Sequence, residues 1–301
     1  MRISLPARRI VVACAALMMT AGVAACSSDE AGTSPASTSS SAAAQTVDVA
    51  ALKARLPERV RTSGTLIVGT NAPFAPMEFE QDGELTGFDI DLVEAIAQTL
   101  ELNTDIRQSP FPQLLPDVQS GAVDMAARGL FDTRSREQLV DMVTYMRAGT
   151  QWAQRTGSGV EPENACGKKV GAEADTVQLT VELPAKSQAC KAVGEERIDV
   201  VAFDSEQAAM DGLLAGEVDA ISADSPVIRY SARRSGGRIE AVDNAFDTQP
   251  YAFPVAKGSP LAPVLQQVIQ HLIDTGEMKA LADRWGLQGL IAASTVNAAI
   301  N

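Results

Sequence analysis

Histidine is all but missing from this chain of 301 residues: His271 is the only one. Cysteine is nearly as scarce, with four copies. A metal centre built on imidazole and thiolate needs more ligands than these supply. His271 itself lies in the apolar-periodic stretch LAPVLQQVIQHLI, on the flank of a helix. The methionines do not make up the deficit, because Met125, Met142 and Met146 occupy apolar surroundings typical of packing. Basic residues are also short, 25 against 38 acids, which gives a formal charge of −13 and argues against nucleic acid as a partner. No GxxxxGK(S/T) segment is present to cradle a phosphate. Beyond the first 25 residues no apolar run approaches membrane length.

What is present begins with export. Arg2, Arg8 and Arg9 precede the apolar run IVVACAALMMTAGVAA over residues 10–25, the charged-then-apolar order of a secretory signal. The run ends in Val23-Ala24-Ala25-Cys26, and small residues before a cysteine look like a lipoprotein cleavage box. Residues 1–25 are therefore expected to be removed, leaving Cys26 to carry the lipid on the outer face of the cell membrane. A plain transmembrane anchor is the alternative, but the run is short and lacks a basic stop on its far side. Cleavage takes away three arginines and no acids, so the charge moves from −13 to −16.

Residues 27–46, SSDEAGTSPASTSSSAAAQT, cannot bury enough apolar surface to offset the entropy of ordering. The flexible tether is drawn over 26–55. With Cys14 lost in the signal and Cys26 lipidated, Cys166 and Cys190 remain as a disulfide pair in an oxidising compartment. Two free buried thiols are the alternative, although CGKK and QACK both read as surface segments. Closing that loop is worth about 3 to 4 kcal/mol in the chain-entropy model.

The rest alternates strand and helix. TLIVGT reads as a strand, Asp82-Gly83 as a hairpin turn, and a helix is expected to start near Asp91. In it Leu92, Val93, Ile96, Ala97 and Leu100 recur at helical spacing and leave Glu94 and Gln98 wet. FPQLLPDVQSGAVDMAA reads as a short helix, a break at Gly121 and a buried strand, and AAMDGLLAGEVDAISAD repeats the design with Gly216, Val218 and Asp219. Leu261, Val264, Leu265, Val268, Ile269 and Leu272 form the stripe of a closing helix.

Segment 87–100, GFDIDLVEAIAQTL, together with the chain around it, resembles the signature of the family-3 extracellular solute-binding proteins of polar amino-acid importers. The resemblance covers roughly residues 60–290. It implies an α/β fold of the type II periplasmic-binding-protein kind, with two lobes, a ligand cleft and a two-strand hinge. Lobe 1 is drawn over 56–154, lobe 2 over 155–247, and the return to lobe 1 with the tail over 248–301. It also implies capture of an extracellular amino acid by cleft closure, with delivery to a membrane permease and its ATPase. No cofactor is called for.

Residue by residue, the resemblance makes Arg136 the clamp on the ligand carboxylate, whose two oxygens a planar guanidinium can pair. Thr176 and its backbone amides would hold the same carboxylate from lobe 2, although Asp175 stands where the family has glycine. Asp224 would accept the α-ammonium, while Asp219, like Asp124, belongs to the scaffold. Phe74 and Phe111 would wall the side chain. Where relatives have a serine and a small residue, this chain has Arg128 and Gly129. The Gly129 amide is expected to reach the ligand carboxylate. Arg128 either recognises an acidic side chain, glutamate or aspartate, or forms a salt bridge to Glu78 or another acid. An exported cyclohexadienyl dehydratase-like enzyme, with Glu78 or Glu173 as acid, is the rival of another class, and a ligand sensor presenting its closed form to a receptor is a third.

Overall fold

The computed structural model describes residues 47–300; the signal, Cys26 and the first part of the tether lie outside them. The chain enters through α1 (Val49–Ala54) and α2 (Glu58–Ser63), and Leu52, Val60 and, between the helices, Leu56 are buried in the first core. The tether expected over 26–55 is therefore too long. From Asp48, which caps α1 by accepting from the Ala51 N–H at 3.0 Å, the chain carries the apolar surface that 27–46 lacks.

Lobe 1 continues with β1 (Thr65–Thr70), the hairpin β2 (Phe79–Gln81) and β3 (Glu84–Thr86), α3 (Phe88–Thr99), β4 (Asn103–Gln108), α4 (Leu114–Ser120), β5 (Met125–Ala126) and α5 (Arg134–Glu137). The long strand β6 (Val140–Arg155) leads into lobe 2, made of β7 (Lys169–Glu173), α6 (Leu183–Ala192), β8 (Asp199–Phe203), α7 (Glu206–Ala215), β9 (Ala220–Asp224) and α8 (Ser225–Arg234). An 18-residue strand, β10 (Ile239–Ala256), returns to lobe 1, which α9 (Leu261–Asp274) and α10 (Glu277–Trp285) complete. The strand order is β4-β1-β5-β10-β6-β9-β7-β8. The antiparallel pair β6/β10 is shared, and parallel strands flank it on each side.

Helix α3 buries Leu92, Val93, Ile96, Ala97 and Leu100 and exposes Glu94 and Gln98, as its periodicity requires. It begins at Phe88 rather than near Asp91, because Gly87 stops the hairpin against it. At Gly87 φ is 136°, and a Cβ would fall 2.1 Å from the Met77 carbonyl oxygen. The internal repeat is physical as well. Asp124 accepts from the Ile67 N–H at 2.7 Å and Asp219 from the Lys169 N–H at 2.9 Å, so each ties a core strand to its parallel neighbour. Both α9 and α3 pack on one face of the lobe-1 half-sheet and α4 on the other. Lobe 2 has the same two-sided core, around Trp152, Val170 and Leu183 on one face and Met210, Leu213 and Ile221 on the other.

Cys166 and Cys190 form a disulfide between the loop before β7 and α6. The segment around Cys190 is less exposed than it reads, since the inner face of α6 buries Cys190 with Leu183 in the lobe-2 core. Between the lobes the β6/β10 register is irregular from Val242 to Gln249, and Asp243 and Asp247 have φ of 52° and 46°. Gly149 faces this stretch, and a Cβ there would meet the Phe246 carbonyl oxygen at 2.5 Å. After α10 the tail runs beside the lobe-1 half of β6. There Arg147 N–H donates to Gly289 O at 2.7 Å and Thr144 N–H to Thr295 O at 2.9 Å.

Candidate functional site

The cavity between the lobes is lined by all seven cleft residues expected from the sequence: Phe74, Phe111, Arg128, Gly129 and Arg136 from lobe 1, and Thr176 and Asp224 from lobe 2. Phe131, Glu173, Val177, Gln178 and Glu206 join them. The open space at its centre is about 20 Å³, enough for one water. The lobes are thus drawn together, and two polar contacts bridge them at the cavity. Arg128 Nη2 donates to Glu173 Oε2, and the Tyr251 hydroxyl donates to Asp224 Oδ2.

Arg136 stands on the one-turn helix α5, whose first residue follows Thr133, a side-chain cap on the Arg136 N–H at 3.3 Å. Its guanidinium donates from Nη1 to Phe131 O at 2.8 Å. No carboxylate lies within ion-pair distance of it among the described residues. Burial pulls its pKa down to about 10 and Asp224 opposes that, so it is charged at neutral pH. Arg134 next to it is exposed.

Asp224 ends β9 and is buried. Its Oδ1 accepts from Gln178 Nε2 at 2.6 Å, and Oδ2 takes the Tyr251 hydroxyl. Burial raises its pKa to about 6, against these hydrogen bonds and the nearby guanidiniums. Thr176 starts the helical segment that leads to α6. Its hydroxyl donates to Glu173 O at 2.7 Å and accepts from the Leu179 N–H at 3.3 Å, so it caps that turn. Asp175 has φ of 62° and is exposed, which explains why glycine suits this position and why its charge turns away from the cavity.

One end of the cavity is an aromatic slot that holds a cation. Arg128 Cζ lies 3.6 Å from the Phe74 ring centroid and 4.4 Å from that of Phe111. The guanidinium is paired with Glu173, and its Nε is 3.9 Å from Glu78 Oε1. Burial opposes the charge of Arg128, but Glu173 and Glu78 more than offset it and keep the group protonated. Glu78 and Glu206 are buried beside it, and burial pushes both carboxyls well above their usual range. Among the described residues neither Glu78 oxygen has a hydrogen-bond partner, nor does Glu206 Oε1.

Gly129 departs from expectation. Its N–H donates to Asp89 Oδ2 at 2.9 Å, an oxygen that also takes the Tyr145 hydroxyl at 3.0 Å. The amide is therefore engaged inside lobe 1 and does not point at a ligand carboxylate. Glycine is needed for fit: φ is 52°, and a Cβ would sit 2.9 Å from Phe74 Cε1. Of the two readings of Arg128, the salt bridge is the one formed, chiefly with Glu173 rather than Glu78. Nothing in the sequence marks Gln178, Glu206 or Tyr251 as cleft residues. Tyr251 lies on the returning strand 27 residues beyond Asp224, with no local pattern to flag it.

Residues 66–288 match the family described as bacterial extracellular solute-binding proteins, family 3. This chain belongs to that family. The arginine-binding protein ArgT of Corynebacterium glutamicum is 36% identical over 253 residues, covering 83% of each chain. An ancestral arginine-binding protein solved with arginine matches with a TM-score of 0.66 at 30% identity, over 74% of this chain and 98% of its own. A structure of an ancestral arginine-binding protein bound to glutamine matches at 0.65 and 29%, over 74% and 97%. The family-3 solute-binding protein described here accordingly has the type II two-lobed architecture. Proteins of this family are exported, non-catalytic solute-binding proteins whose general role is the substrate-binding component of an amino-acid ABC importer, beside a permease and an ATPase.

Proposed function

We propose that this solute-binding protein clamps the α-carboxylate of a free L-amino acid on Arg136 and receives its α-ammonium at Asp224. One observation carries the reading. Arg136 is a cavity-facing guanidinium with no carboxylate of its own among the described residues, opposite a buried aspartate on the other lobe. An amino acid supplies the two complementary charges, so its binding free energy favours the closed population. Thr176, at a helical N-terminus, supports the carboxylate from lobe 2. Phe74 and Phe111 wall the side-chain end.

The side chain is uncharged and short. A ligand glutamate or aspartate finds little support at Arg128, whose guanidinium already serves Glu173, with Glu78 and Glu206 beside it. A further carboxylate would add a fourth acid to one base. That an ancestral arginine-binding relative was solved with glutamine supports an uncharged side chain on this scaffold.

Cys26 is the proposed lipid attachment point, with the stretch up to residue 46 as tether to the outer face of the membrane. Mass spectrometry of the membrane fraction should find a diacylated Cys26, and Cys26→Ala should release the protein.

Calorimetric titration of residues 47–301 with free amino acids tests the main reading. Saturable binding of a small or amide side chain is expected, weakened at least about 100-fold in Arg136→Ala, the loss of a charge-assisted bidentate contact. Absence of binding to every amino acid by folded, ligand-free protein would overturn it.

A further inference from the structure

The slot between Phe74 and Phe111 has the properties of a receptor for a planar cation. Two phenyl faces lie 3.6 and 4.4 Å from one carbon, a geometry that attracts a guanidinium electrostatically. Glu173 meets one nitrogen from the opposite lobe, and Glu78 and Glu206 add buried carboxyls without full complements of hydrogen bonds. Three acids from three separate segments converge on a single base. The base is a side chain of the protein itself, 3% exposed.

We propose that Arg128 is the resident occupant of a guanidinium site and thereby the specificity-determining residue of the cleft. Its charge fills the slot that a long cationic side chain of a ligand would enter, and it leaves the Arg136–Asp224 end for the amino-acid head group. This rests on the amino-acid reading above only for the head group; the slot itself stands on the geometry around Arg128. A tethered cation competes at the high effective concentration of an intramolecular partner, in the millimolar range or above. Free arginine must displace it, together with its ion pair to Glu173, before its own guanidinium can stack. A side chain that stops short of the slot faces no such competition.

Removing the occupant should therefore create a binding activity. In Arg128→Ala, methylguanidinium chloride should raise the thermal midpoint by several degrees relative to equal methylammonium chloride, while the wild-type midpoint does not distinguish the two salts. Methylguanidinium has no carboxylate or α-ammonium, so this readout is independent of the Arg136–Asp224 reading. Calorimetry should then show arginine binding to Arg128→Ala at least about tenfold tighter than to wild type, as one stacked, desolvated cation allows. Adding Phe74→Leu should abolish the methylguanidinium effect. If the variant unfolds once its acids lose their partner, refolding by methylguanidinium and not by methylammonium is the same result.

A measurement on the unmodified protein covers the case in which neither salt restores the fold. The Arg128 Nε–H resonance, assigned by its loss in Arg128→Lys, should be displaced by the ring currents of the two phenyl groups. An undisplaced resonance overturns the proposal. So does wild type binding arginine as tightly as Arg128→Ala, or a folded Arg128→Ala protein indifferent to methylguanidinium. Arginine failing to bind while methylguanidinium stabilises the variant would support the slot and count against the head-group reading alone.

Discussion

Tyr251 donates its hydroxyl to Asp224 across the cleft, from the lobe-1 half of β10 to the last residue of β9. Its ring is anchored in lobe 1, with its centroid 4.9 Å from that of Phe131. The bond therefore couples lobe closure to the carboxylate proposed for the ligand ammonium. It also orients that carboxylate together with Gln178.

Tyr251→Phe keeps the ring and removes only this bridge. A hydrogen bond to a charged group is worth about 1.5–3 kcal/mol, and here its loss falls on the closed form alone. Small-angle scattering should show a larger radius of gyration for the ligand-free variant. Tyr145→Phe is the control, because its bond to Asp89 lies wholly within lobe 1. Equal expansion of both variants, or of neither, would count against the bridge.

Stability should rise on acidification. Burial raises Asp89, Asp132 and Glu182 to about 7 and Asp224 to about 6, and pushes Glu78 and Glu206 up as well. In the unfolded chain these groups titrate near 4. Between about pH 4 and 7 the folded protein thus holds more protons than the unfolded one. Unfolding then releases protons, and stability falls as pH increases through that window. Calorimetric midpoints at constant ionic strength should be higher at pH 5 than at pH 8, by about 2–4 °C for each kcal/mol recovered. Asp141, held low by Asn297 and Lys257 against its partial burial, acts in the opposite sense only at more acidic pH. A midpoint that drops from pH 8 to pH 5 would contradict this balance.

Asp175→Gly should stabilise the protein. The residue is exposed with φ of 62°, a conformation that glycine adopts without a Cβ penalty. A gain of about 0.5–1 kcal/mol is expected, reduced somewhat by the greater freedom of glycine in the unfolded chain. Chemical denaturation with an unchanged m-value measures it, and a loss of stability would show that the aspartate contributes a contact outweighing its backbone strain.

What the sequence made legible was local. The stripe on α3, the turn at Asp82-Gly83 and the twin aspartates Asp124 and Asp219 each follow from spacing within a few residues, and each is found as expected. The membership of the cleft was legible too, through resemblance. The use of each cleft residue was not. The partner of Arg128 is 45 residues away on the other lobe, and the Gly129 amide turns to Asp89, 40 residues upstream. Such choices depend on how two lobes meet, and no periodicity in one segment encodes them. Helix α1 is illegible for a different reason: its six residues are too few to stand out beside a polar tether.

The tail after α10 has a mechanical meaning. It holds the outer side of β6 through Asn297 at Met142, Thr295 at Thr144 and Gly289 at Arg147, while β9 holds the same side from Thr150 to Gln154. Only Ala148 and Gly149 lie between the two grips, opposite the irregular stretch of β10. On β6 this leaves a two-residue gap, Ala148-Gly149, as the one place where that strand is free to flex between the lobes. Residues 289–297 act as the splint that sets where it lies.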